Sequence, residues 1–245
     1  MQKLVCFGDS YIANDLYPYV VDIKPLANRM ADKLGVPLIN FGCSASGLAY
    51  ALDSFYRYLA SEDFDSRDYL YFTTSMPMRL WLPESGGNHF LFPDSLGKIS
   101  PSDGNYFFKK YAHEINWAMA NLTPELEQSI LHVIRTMAYQ ASQGNRCIVV
   151  NGFEISELGL KLAQAVTSNK RFRNLITKDG LIGASVSEFD EIETIKWDRE
   201  HDYGRVNHFS EVNLEILANQ MVAEFNNENA FNLSMLKHHF VKARQ

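Results

Sequence analysis

Two short segments at opposite ends of the chain hold side chains that, brought together, could cleave an acyl bond. Near the start, the apolar run Lys3-Leu4-Val5-Cys6-Phe7 stops at Gly8-Asp9-Ser10. A serine hydroxyl therefore follows directly on what reads as a buried strand ending in a tight turn. At the rim of a sheet, backbone amides near the following helix start can stabilise an oxyanion beside such a hydroxyl. Gly-Asp-Ser is also ordinary turn chemistry, and the tripeptide alone does not separate the two readings. Near the end, His208 lies in Asn207-His208-Phe209-Ser210, at the mouth of a helix for which Ser210 is a natural N-cap. A serine becomes a strong nucleophile when an adjacent base takes its proton, and imidazole titrates in the range this needs. By itself, a single histidine there is also a surface or capping residue.

The elements between these segments must bring them together. Residues 23–34 place Ile23, Leu26, Ala27, Met30, Ala31 and Leu34 on one stripe, which predicts an amphipathic helix stopped by Gly35. Strands are expected at 3–7, 36–39, 69–73 and 146–150, with one more short strand near 175–177. Helices are expected over 48–60, 106–121, 124–143 and 155–166, and from Ser210 onward. Thr123 is the expected N-cap of the third of these, with Pro124 at its first position. Strands alternating with helical patterns predict an α/β fold, a parallel sheet with helices on both faces. The whole chain, 1–245, reads as one domain, with a long irregular insertion at about 75–105 rich in Pro, Gly and aromatic residues. Ligands bind such sheets beyond the carboxyl ends of the strands. Ser10, the small-residue loop 40–47 and the segment 73–79 all fall at such ends.

This order of blocks resembles the SGNH hydrolases, also called GDSL esterases and lipases. Phe7-Gly8-Asp9-Ser10-Tyr11 matches the family's first block, and His208-Phe209-Ser210 with Asn213 is similar to its last. The resemblance implies a flavodoxin-like fold, with Ser10 as nucleophile and His208 as its base. It also implies that the Ser10 amide and an amide of the 42–47 loop bind the oxyanion. The family's spacing falls on Ala45, flanked by Gly42 and Gly47. The family's third block offers an asparagine after the third strand, and Thr74 is the positional match here. A hydroxyl has a shorter reach than a carboxamide, and losing one oxyanion donor costs about 10²–10³ in rate in other enzymes. The family's aspartate, three residues before the histidine, is replaced by Arg205. Asp202 or Asp198 would then orient the imidazole, or the site would work as a Ser-His dyad. The Thr-Ser after the third strand and the Asn-His before the last helix are also similar in style to SGNH-like proteins encoded by bacteriophages.

Arg79 and Trp81 sit just past the third strand, where they would grip substrate, with Trp81 as a flat platform for a sugar or acyl chain. Trp81 reads equally well as an anchor of the long insertion. The expected activity is hydrolysis of a carboxylic ester through an acyl-enzyme, without cofactor or metal. The substrate would be a small molecule or carbohydrate carrying a short acyl group such as acetyl. The altered third block and the arginine at the acid position leave a second reading: a non-catalytic SGNH-like module that binds glycan or forms a structural part of a larger, phage-type assembly.

Composition removes several other classes. A net charge of −6 over 245 residues, with no basic stripe, is wrong for nucleic acid, which needs phosphate neutralised. No apolar stretch reaches the length of a membrane span, and no N-terminal h-region marks a secretion signal. The expected location is the cytoplasm or a particle assembled there. Cys6, Cys43 and Cys147 are too few and too scattered for a disulfide framework or a zinc site, and Cys6 and Cys147 read as buried thiols. Apart from His208, the histidines (His89, His113, His132, His201, His238 and His239) lack metal-ligand spacing and read as surface or core residues. Asp63, Asp65 and Asp68, without a glycine at the turn position an EF-hand needs, read as a solvated turn. Oligomeric state is not legible.

Overall fold

The computed structural model describes residues 1–13, 24–43, 46–75, 80–84, 87–91, 123–186, 209 and 211–228. Five parallel strands form the central sheet: β1 (Leu4–Phe7), β2 (Leu38–Asn40), β3 (Tyr69–Thr74), β6 (Arg146–Asn151) and β7 (Phe172–Asn174). Their order is β2-β1-β3-β6-β7, the doubly wound flavodoxin-like order. The register runs Leu4 against Leu38 on one side and Tyr69 on the other, and ends with Phe7 beside Phe72.

Period-two alternation in these strands feeds two separate cores. Leu4, Cys6, Tyr71, Ile148 and Val150 point to one face. There they meet α1 (Leu26–Leu34) and α6 (Glu211–Asn226) through Met30, Leu217 and Met221. Val5, Phe7, Leu70, Phe72, Cys147 and Val149 point to the other. They meet α2 (Leu48–Leu59) and α3 (Thr123–Gln143) through Phe55, Ile134 and Met137. Two short helices, α4 (Glu157–Gln164) and α5 (Gly180–Val186), follow β6 and β7. Burial pushes the Cys6 and Cys147 thiols far up from the ordinary range, so both are inert packing groups.

Several boundaries differ from the sequence expectation. Helix α1 begins at Leu26 rather than residue 23, because Pro25 takes the N-cap position at φ −61°, ψ 156° and the residue before a proline is disfavoured in a helix. Gly35 ends it as expected, in the left-handed region, with the Val36 amide reaching back to the Ala31 carbonyl. Helix α3 starts at Thr123, one residue before the expected start. The last strand is Phe172–Asn174 rather than 175–177, because Phe172 is the residue that the sheet interior takes up. The insertion, expected to be irregular, contains an antiparallel ribbon of β4 (Leu80–Glu84) and β5 (Gly87–Leu91). The expected helix at 106–121 lies outside the described residues.

The acidic turn before β3 is not simply solvated. Asp68 is fully buried and accepts from the Lys3 amide at 2.8 Å, from the Asp65 amide at 3.2 Å and from the Tyr58 hydroxyl. It locks the amino ends of β1 and β3 together at the edge opposite the candidate site.

Candidate active site

The turn after β1 is built by three consecutive residues. Gly8 takes φ +145°, a region essentially reserved for glycine. A Cβ there would also meet the Thr73 carbonyl oxygen at 2.7 Å and its Cβ at 2.9 Å. Asp9, fully buried, organises the next turn. Its carbonyl accepts from the Ile12 and Ala13 amides, each at 3.0 Å, and its Oδ1 accepts from the Tyr11 amide at 3.1 Å. Side-chain bonding two residues along is the usual way an aspartate closes such a turn. Those contacts engage three successive amides and pass over that of Ser10. Neither the amide nor the hydroxyl of Ser10, itself 2% exposed, makes a hydrogen bond among the described residues. A hydroxyl beside an amide, both unclaimed among the described residues at the end of an interior strand, is the local arrangement acyl transfer needs.

Two further loops converge on this turn. After β2, the Phe41 amide donates to the Cys6 carbonyl at 2.8 Å, and the Cys43 amide to the Gly8 carbonyl at 3.1 Å. Ser46 Oγ donates to the same Gly8 carbonyl at 3.0 Å. The Asn40 carboxamide donates to the Ile12 carbonyl at 2.7 Å and accepts from the Gly42 amide at 2.8 Å. After β3, Ser75 Oγ donates to the Ser46 carbonyl, so the three loops are pinned in series. Helix α2 then starts from Gly47, whose N-cap position carries no side-chain cap. On the far side the Gly152 amide donates to the Thr74 carbonyl at 2.9 Å.

The structure therefore brings Ser10, Gly42, Gly47 and Thr74 to one end of the sheet. It also shows the amides of Gly42, Cys43 and Ser46 engaged within the protein, the last with the Cys43 carbonyl at 3.1 Å. Gly42 is thus a packing position rather than an available donor. Trp81 lies in β4 opposite Phe90. His208, Asp202, Asp198, Arg205, Ala45 and Arg79 lie outside the described residues. Phe209, the residue after His208, lies within them. It is buried, and its ring packs against Tyr11 with centroids 5.9 Å apart, while Tyr11 also meets Phe153 at 6.1 Å. Sequence reasoning missed Ser46 and Ser75. Both are small hydroxyl residues in loops, and nothing in their local sequence reveals a partner on another loop.

Among the described residues no cluster of His, Cys, Asp and Glu has the makings of a metal site, and no helix is long and apolar enough to cross a membrane. Compared with known proteins, the chain matches no family model and no curated protein. Among solved structures it is similar to the lipase/acylhydrolase from Enterococcus faecalis, at 15% identity and a TM-score of 0.41, over 93% of this chain and 97% of that one.

Proposed function

We propose that this chain is an SGNH-type serine hydrolase that cleaves a carboxylic ester carrying a short acyl group, such as a carbohydrate O-acetyl. The observation that carries the reading is the contact between the rings of Tyr11 and Phe209. Tyr11 follows Ser10 and Phe209 follows His208, and consecutive Cα atoms are about 3.8 Å apart. The two residues that could form a nucleophile–base pair are therefore each one step from a shared contact, although they come from opposite ends of the chain.

In this mechanism Ser10 Oγ attacks the ester carbonyl carbon while His208 accepts the hydroxyl proton. The proton then passes to the departing alkoxide, leaving an acyl group on Ser10. Water, deprotonated by the same imidazole, attacks the acyl carbon and releases the acid with Ser10 restored. The Ser10 amide stabilises the oxyanion, with Ala45 or Gly47 as the second donor, since Gly42 is engaged by Asn40. Thr74 is the third donor at the edge. Asp202 orients the imidazole, or a main-chain carbonyl does so in a dyad. Arg79 and Trp81 contact the alcohol portion of the substrate.

The test is turnover of p-nitrophenyl acetate together with labelling by a fluorophosphonate. Native protein should label at Ser10 and lose labelling on denaturation. Turnover should follow a base titrating near the ordinary histidine value of about 6.5. Ser10→Ala should abolish both signals, and removal of His208 should cost nearly as much, because the two act as a unit. Unreactive Ser10 in folded protein, with glycan affinity that depends on Trp81, would instead establish the binding-module reading favoured by Arg205 at the acid position.

A further inference from the structure

We infer that Asn40 is a positioning residue that locks the nucleophile turn to the loop after β2, and so sets the reactivity of Ser10. The inference rests on the assignment of Ser10 as nucleophile, but its geometry stands apart from that assignment. One carboxamide serves both sides of the junction. Its Nδ2 donates to the Ile12 carbonyl at 2.7 Å, two residues past Ser10, and its Oδ1 accepts from the Gly42 amide at 2.8 Å. Asn40 is the last residue of β2, parallel to β1 with Cys6 as its register partner, so the rigid sheet holds its backbone.

The contact it bridges leaves no room for slack. A Cβ on Gly42 would come within 2.3 Å of Ile12 Cγ2 and 2.9 Å of the Ala13 amide nitrogen. The two loops thus meet backbone to side chain, and the turn on the Ser10 side is held at Ile12 and Ala13 by the Asp9 carbonyl. Loss of the Asn40 bridge frees the Ile12 carbonyl from the loop after β2. The Asp9-centred turn can then shift relative to that loop, and with it the direction of Ser10 Oγ. Misplacing a reacting group by about an ångström is enough to cost about 10²-fold.

The two halves of the bridge can be separated by substitution. Asn40→Ala removes both. Asn40→Asp keeps an acceptor for the Gly42 amide but cannot donate to the Ile12 carbonyl. The experiment measures fluorophosphonate labelling rate at Ser10, thermal midpoint and residue-resolved amide exchange for wild type and both variants. The expected result is labelling slowed at least about tenfold in both variants, with faster exchange at Ile12 and Ala13 in both. The Gly42 amide should be deprotected in Asn40→Ala only. Wild-type labelling in Asn40→Asp, or unchanged exchange at Ile12 and Ala13 in the folded variants, overturns the inference. Should Asn40→Ala fail to fold, Asn40→Asp alone decides it by the same two readouts. A wild-type protein that never labels overturns the hydrolase reading, and with it the effect on Ser10. The exchange at Ile12 and Ala13 then still reports, independently, whether Asn40 couples the two loops.

Discussion

At the scale of single residues, the turn Gly8-Asp9-Ser10 divides its labour. Gly8 supplies a backbone angle and a lack of Cβ, Asp9 supplies the acceptors that shape the turn, and Ser10 is left with its amide and hydroxyl unclaimed among the described residues. This division predicts a distinct outcome for Gly8→Ala. The variant adopts a strained φ and drives its methyl into the Thr73 carbonyl, so stability should fall by at least about 2 kcal/mol, read from urea unfolding. Labelling of Ser10 should fall as well, since the turn must shift to relieve the clash. A change below about 0.5 kcal/mol would show that the turn relaxes freely and that Gly8 is not required where it stands.

At the scale of elements, helix α6 docks on the sheet face that it shares with α1. Its far end is held by buried charge: Glu224, wholly buried, pairs with Arg173 of β7. Beside it the Arg146 guanidinium donates to the Phe225 carbonyl at 3.1 Å and lies over the Tyr69 ring, against which Phe225 packs edge-on at 5.1 Å. Removing one partner of a buried ion pair strands the other, at a cost of about 3–5 kcal/mol. Arg173 retains some solvent contact, with its side chain 19% exposed, so Glu224→Ala should fall near the lower end, about 3 kcal/mol. The double variant Arg173→Met/Glu224→Leu should recover most of the loss, because an apolar pair fills the space without stranded charge. If single and double variants unfold at the same denaturant concentration, the pair is not what holds the helix end.

At the scale of the whole molecule, two apolar layers enclose one sheet, and phenol groups are buried within them. Burial, with the hydrogen bond to Asp68 next in weight, pushes the Tyr58 phenol well above its ordinary value; burial does the same to Tyr71. The folded state therefore resists ionisation that the unfolded chain allows. The stability contributed by these groups is fully present below the unfolded value of about 10 and is lost as pH rises beyond it. The thermal midpoint should hold from about pH 7 to 9 and then fall steeply above about pH 10. Tyr58→Phe should flatten part of that fall while lowering the midpoint at neutral pH, where Asp68 loses a hydrogen-bond donor. Equal alkaline slopes for wild type and variant would remove Tyr58 as a cause.

Taken alone, the sequence determined the class of fold and the place of Ser10 just past its first strand. The apolar runs at 4–7, 69–73 and 146–150 are strands, because burial on both faces leaves no polar alternation to read, and the 3.6-residue stripe ending at Gly35 could only be a helix. It also singled out Ser10 at a strand end, because a small polar residue after an apolar run marks the place where a strand leaves the core. What it did not determine was anything that depends on two loops meeting. Gly42 reads as an amide donor in the sequence, and its donor is taken by Asn40, whose partner Ile12 comes from another loop. Asp68 reads as solvated among its neighbours, and it is buried because Lys3 and Tyr58 converge on it from other elements. The ribbon inside the insertion was likewise decided by pairing rather than by periodicity, whereas the start of α1 is local, set by Pro25 against the stripe that points back to residue 23. Hydrophobic patterning is local and survives in the chain's order. Hydrogen-bond partners separated by tens of residues exist only once the parallel sheet has brought its strand ends together.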